Sequence, residues 1–134
     1  MKKRFVFFSL VLFIIICSAL VSSASNVYHL KLLAVQEVEG NYTGSDADLY
    51  LELKPGSGRV FLDTYPLTKM DTQVSTRFAK EIVCKHYKLD CSKYDFIYTI
   101  KANSNIVGGP SAGAAVAALT TIAFLNLDYD EGIS

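Results

Sequence analysis

The segment from Ala112 to Leu125 contains no charged residue and is apolar almost all round. A helix of that character has no face to offer water, so it must be buried against other elements. Its alanines, at 112, 114, 115, 117, 118 and 123, let it lie close to a neighbour, because short side chains reduce the distance between packed elements.

The residues upstream predict the surface on which that helix sits. Tyr28 to Val38 is mostly apolar or β-branched, and Leu49 to Lys54 alternates strictly, with Leu49, Leu51 and Leu53 on one side. Both patterns predict strands. Pro55-Gly56-Ser57-Gly58 is a strong turn signal and Arg59 to Asp63 resumes an apolar run, so a hairpin is expected over Leu49 to Asp63. Glu39 to Asp48, rich in Gly, Asn, Ser and Asp, reads as the loop leading into it. After Pro66, Asp71 or Thr72 can cap a helix reaching to about Tyr87. Val74, Phe78, Ile82, Ala79 and Val83 form the stripe expected to pack on the sheet, with Arg77, Lys80, Glu81 and Lys85 turned to solvent. Phe96 to Lys101 alternates as a strand with one partly exposed face, and Ala102 to Gly109 reads as a loop. The order strand, hairpin, helix, strand, helix makes the class α+β.

The amino terminus reads differently. Lys2, Lys3 and Arg4 precede an uncharged run from Phe5 to Val21, and Ser22-Ser23-Ala24 closes it with a small-x-small pattern. Residues 1–24 are therefore expected to be a signal peptide, with the mature chain starting at Ser25 and secreted; the alternative is a retained membrane anchor with the same topology. Removing the segment takes three of the 13 basic residues and none of the 13 acidic ones, leaving a net charge of −3. No basic stripe remains for nucleic acid, and contact with a membrane is expected only through residues 1–24. Outside the cytoplasm, Cys84 and Cys91 can close a short disulfide loop, since six intervening residues suffice to return the chain. His86 between them does not complete a tetrahedral metal site, and no metal or cofactor is expected. Asn41-Tyr42-Thr43 is an N-glycosylation sequon if the host glycosylates exported proteins.

The densest chemical signal is Asn105-Ile106-Val107-Gly108-Gly109-Pro110-Ser111-Ala112-Gly113. Gly108 and Gly109 leave backbone N–H groups unobstructed, and the following helix directs its positive end at the same point. A developing oxyanion would be stabilised there. A serine at a helix start is also the common N-cap, and Ser111 taken alone fits that role. Lys80, Lys85 and Lys88 read as solvated and charged, hence poor bases for its hydroxyl. His29 and His86 have no acidic residue placed by the sequence to orient them, and His86 reads as a partner of the helix carboxyl end.

In context, the stretch resembles the Gly-Pro-Ser-Ala-Gly signature of the Lon peptidase domain. The run Arg59 to Asp63, the helix from Asp71 to Lys85 and the strand from Phe96 to Lys101 follow the family's order of strand, helix, strand and nucleophile. The chain looks most like the exported Lon-like proteins of archaea, from about Tyr28 onward. The resemblance implies the amino-terminal, truncated part of a Lon proteolytic-domain fold, with Ser111 as nucleophile of a Ser-Lys dyad and Gly108, Gly109, Pro110, Ala112 and Gly113 forming the loop around the oxyanion. It implies an ATP-independent serine endopeptidase acting on unfolded or extended peptide bound as an added strand, and it implies self-association. Two departures stand out: Val107-Gly108 replaces the Lys-Asp usual in bacterial Lon, and the dyad lysine is expected on a later helix, beyond Ser134. No Gly-x-x-x-x-Gly-Lys-Ser/Thr segment is present, so this chain carries no Lon ATPase module. Two other readings compete: a phosphate cradle of the galactokinase and homoserine kinase type, and a non-catalytic binding module.

Overall fold

The structure is a computed structural model of the 134-residue chain, and it describes residues 26–38, 41–107 and 111–130. The expected signal peptide and the loop Gly108 to Pro110 lie outside the described residues. Strands β1 (Val27–Val38), β2 (Asn41–Pro55), β3 (Val60–Thr68) and β4 (Tyr94–Val107) form one sheet in the order β1-β2-β4-β3. Helix α1 (Met70–His86) connects β3 to β4, and α2 (Ser111–Leu125) follows β4. The class is α+β.

Strand β4 is antiparallel to β2 and parallel to β3. Its alternation sets the core: Phe96, Tyr98 and Ile100 lie opposite Leu53, Leu51 and Leu49, and Leu49 and Leu51 in turn lie opposite Leu30 and Tyr28. Side chains paired across neighbouring strands share a face, so this side of the sheet is apolar. Leu49, Leu51, Phe96, Tyr98 and Ile100 are fully buried, as are Val116 and Leu119 of α2. Helix α2 lies over β1 and β2, and α1 over β3. Burial pushes the Tyr98 hydroxyl pKa up, and the group is satisfied by Thr120 Oγ1 at 2.7 Å, which itself donates to the Val116 carbonyl.

The expected hairpin over Leu49 to Asp63 does not form, because β4 inserts between β2 and β3. The turn itself gives the reason. Gly56 and Gly58 donate their N–H groups to the carbonyls of Lys93 and Tyr94, and Phe96 donates to the Arg59 carbonyl. The Asp95 carboxylate accepts from the N–H groups of Ser57 at 2.8 Å and Arg59 at 3.0 Å, and from the Arg59 guanidinium at 2.6 Å. A Cβ on Gly56 would overlap that carboxylate, and Gly58 has φ of +85°, so both glycines are required where they stand. Instead, the hairpin is made by β1 and β2, paired from Val38 and Asn41 outward, so Asn41 to Asp48 is strand and not loop. Strand β4 likewise continues through the expected loop to Val107.

Helix α1 is also turned from its expected orientation. Lys69 is the N-cap and makes no side-chain cap bond; Asp71 instead accepts the N–H of Thr72. The buried side is Thr72, Thr76, Ala79, Lys80, Val83 and Cys84, while Val74, Phe78 and Ile82 face outward. Two ties fix this rotation. Lys80 Nζ donates to the Gly58 carbonyl at 3.3 Å and lies over the Phe96 ring, and Cys84 is joined to Cys91 by a disulfide. The helix ends in a Schellman turn, in which Leu89 N–H donates to the Cys84 carbonyl and Lys88 takes φ of +53°.

Two expectations follow. Both thiols should resist alkylation in the unreduced protein, and replacing Cys84 and Cys91 together by alanine should lower unfolding stability by about 2 kcal/mol. Alkylation at both positions without reductant would contradict the bridge. For Asp95, the Arg59 guanidinium, followed by the Ser57 N–H, holds the carboxyl pKa down at about 2, below the ordinary carboxylate range. A group depressed on folding contributes in full above its unfolded pKa and loses that contribution as pH falls through the folded value. Denaturation midpoints should therefore fall between about pH 4 and pH 2. Asp95→Asn should be less stable at neutral pH and should flatten that part of the profile; an unchanged profile would refute the assignment.

Candidate active site

Ser111 is the first residue of α2, and β4 ends at Val107, so an inner strand delivers the chain to it. Leu67 and Thr68, at the end of β3, pair with Ile106 and Val107. Pro66 falls in the irregularity between Tyr65 and Leu67, on an edge strand where its missing N–H is best tolerated. The end of β3 and the start of α1, two residues later, therefore converge beside the residues leading into α2.

The two helices approach each other closely at the same corner. A Cβ placed on Gly113 would lie 3.0 Å from Ser75 Cβ and 3.4 Å from the Ser75 carbonyl oxygen. Ser75 is itself folded back, its hydroxyl donating to the Thr72 carbonyl, and Thr76 does the same from the next position. Small or self-satisfied side chains on α1 thus meet small ones on α2. The amino end of α2 is thereby seated against α1.

The lysines are distributed differently from expectation. Lys80 is not on a solvated face: it is 6% exposed, paired with Glu81 at 2.8 Å and bonded to Gly58. It is nevertheless at the wrong end of the helix pair. Lys80 sits over Phe96, which stacks on Phe124, and Phe124 lies thirteen residues beyond Ser111 on α2. At about 1.5 Å per helical residue, Phe124 lies roughly 20 Å along α2 from Ser111. Lys85 and Lys88 are exposed. None of these three reaches the start of α2.

His29 does have an acidic partner, which the sequence did not reveal. Its Nε2 donates to Asp48 Oδ1 at 2.9 Å, its ring stacks on Tyr50 at 4.7 Å, and its backbone N–H donates to the Tyr129 hydroxyl. His29 holds the Asp48 carboxyl pKa below the usual range, with Lys31 adding to the effect. The register explains both the contact and its irrelevance to Ser111. His29 lies opposite Tyr50, two residues along β2 from Asp48, on the sheet face opposite the helices. A hollow of about 330 Å³ on that face is lined by Lys31, Asp46, Asp48, Tyr65 and Lys101. Its opposite charges offset one another, as on a solvated sheet face. Among the described residues, no three His, Cys, Asp or Glu side chains gather as a metal site.

No protein-family model matches the sequence, and no curated protein matches it. Among solved structures, the chain is similar to L. major mevalonate kinase, crystallised with R-mevalonate, at 19% identity and a TM-score of 0.43. The match covers 82% of this chain and 39% of that one.

The Gly113 contact is directly testable. Gly113→Leu should force α1 and α2 apart and cost about 1–3 kcal/mol of stability by overpacking. Ser75→Gly in the same protein should recover part of the loss, read from urea midpoints. No recovery would mean that the two helices do not meet there.

Proposed function

We propose that the chain is part of an ATP-independent serine endopeptidase of the Lon-like Ser-Lys type, with Ser111 as nucleophile, acting outside the cytoplasm. The observation that carries this reading is the placement of Ser111 as the first residue of the helix that follows an inner strand, within Gly-Pro-Ser-Ala-Gly. The sheet, the β3-α1-β4 crossover and the nucleophile follow one another in the order that the resemblance implies.

In this mechanism the Ser111 hydroxyl attacks the scissile carbonyl, and the oxygen that gains charge is held by N–H groups at the amino end of α2 and by the backbone around Gly108 and Gly109. The hydroxyl proton must pass to a neutral amine, because an alcohol without an acceptor is a weak nucleophile near pH 7. Lys80 is too distant and is held by Glu81, so the proposed acceptor is a buried lysine beyond Ser134. Its pKa must be lowered from about 10.4 by apolar surroundings. The substrate lies as an added strand, a mode that requires a free edge. β3 is an edge strand whose carboxyl end approaches the start of α2.

The 134-residue chain alone should hydrolyse unfolded casein little above background. The protein carried through its natural continuation should cleave casein without ATP. Ser111→Ala should abolish that cleavage while changing stability by about 1 kcal/mol or less. Cleavage that persists in purified Ser111→Ala protein would reduce Ser111 to a helix cap and overturn the reading.

A further inference from the structure

The outer face of α1 carries bulkier apolar side chains than its buried face. Phe78 is 66% exposed, Ile82 58% and Val74 52%, and the three follow one another at intervals of four residues along one stripe. Asp71 and Lys85 end the stripe, seven residues on either side of Phe78. Seven residues are two helical turns less about 20°, so all five side chains lie along one seam. Asp71 and Lys85 are both exposed, and neither is ion-paired among the described residues.

This arrangement is self-complementary, and we propose that α1 docks antiparallel against α1 of a second copy, about a two-fold axis passing at Phe78. Under that symmetry each residue faces the one equally far on the other side of the axis. Phe78 meets the partner's Phe78, Val74 meets the partner's Ile82, and Asp71 meets the partner's Lys85, so the acid and base ends are matched twice over. Such an isologous contact needs one patch that fits itself, which is what a stripe acidic at one end and basic at the other provides.

The surface beside the stripe has the corresponding shape. Val74, Arg77, Phe78 and Glu81 surround a shallow hollow of about 380 Å³. Residues spaced i, i+3, i+4 and i+7 are the four that frame a hole for a knob from a facing helix. The axis places the partner's Phe78 over that hole, and reciprocally. The seam from Asp71 to Lys85 is about 21 Å long at 1.5 Å per residue, shorter than a standard interface needs, so the dimer dissociates on dilution.

Sedimentation of the full chain tests the proposal, in a neutrally buoyant detergent that shields the Phe5 to Val21 run. Reversible dimerisation with a Kd of roughly 10–100 μM is expected, and Phe78→Glu should weaken it about 30-fold or more without altering the melting transition. Asp71→Lys alone and Lys85→Asp alone should each weaken self-association, because each sets like charges opposite one another at both ends. An equimolar mixture of those two variants should associate at least as well as the parent, since the opposite charges then face each other across the seam. A chain that stays monomeric at the highest attainable concentration would overturn the proposal. So would a Phe78→Glu variant that dimerises like the parent, or a mixture no better than its components.

Discussion

The carboxylate of Asp95 decides the topology. It sits at the start of β4 and takes hydrogen bonds from both sides of the β2–β3 turn and from Arg59, so the donors of that turn are spent on β4. Strands that would otherwise close on each other are held open, and β4 occupies the gap. Once β4 is parallel to β3, the connection between them must cross the sheet, which makes α1 a crossover helix and leaves both helices on one face. Gly56 and Gly58 are part of the same device, one because a side chain would displace the carboxylate and the other because of its positive φ.

With the crossover fixed, α1 has to share the apolar sheet face with α2. The all-round apolar helix takes the larger part, over β1 and β2, and supplies Val116, Leu119 and Ala123 to the core. What α1 then presents inward must be thin. Thr72 and Thr76 are fully buried, and Thr76 spends its hydroxyl on a carbonyl one turn back. Ser75 allows the approach that Gly113 requires. The bulky residues of α1 are left on the outside, an outcome of close helix packing and not of polarity.

The features visible in the sequence were those set by local periodicity. The alternations at Leu49 to Lys54 and Phe96 to Lys101, and the uncharged run after Ser111, translate directly into two strands and a helix, although the helix buries only the side of Val116, Leu119, Thr120 and Ala123 and leaves Ala114 and Ala118 exposed. The misreadings came where a local signal had to name a distant partner. Pro-Gly-Ser-Gly announces a reversal, but it cannot say that Tyr94 and Asp95 will use its donors. The apolar stripe of α1 points to the side with most hydrophobic surface, while burial was decided by volume, by the Lys80 bond to Gly58 and by the bridge to Cys91. The contact of His29 with Asp48 depends on the β1–β2 register, which is set by a hairpin whose residues resembled a loop. Asp95 itself carried a faint signal, as an acidic residue opening an otherwise apolar strand.

The position of Ser111 follows from these same constraints and does not depend on what the serine does. β4 is an inner strand, and its last pairs with β3, Ile106 with Leu67 and Val107 with Thr68, lie just before α2 and α1 begin. A helix start carries N–H groups without intrahelical partners and the positive end of the helix dipole, so a neighbouring negative charge is stabilised there. The Asp95 clamp at one end of β4 thus fixes, through the pairing of β4 with β3, where α2 begins at the other end.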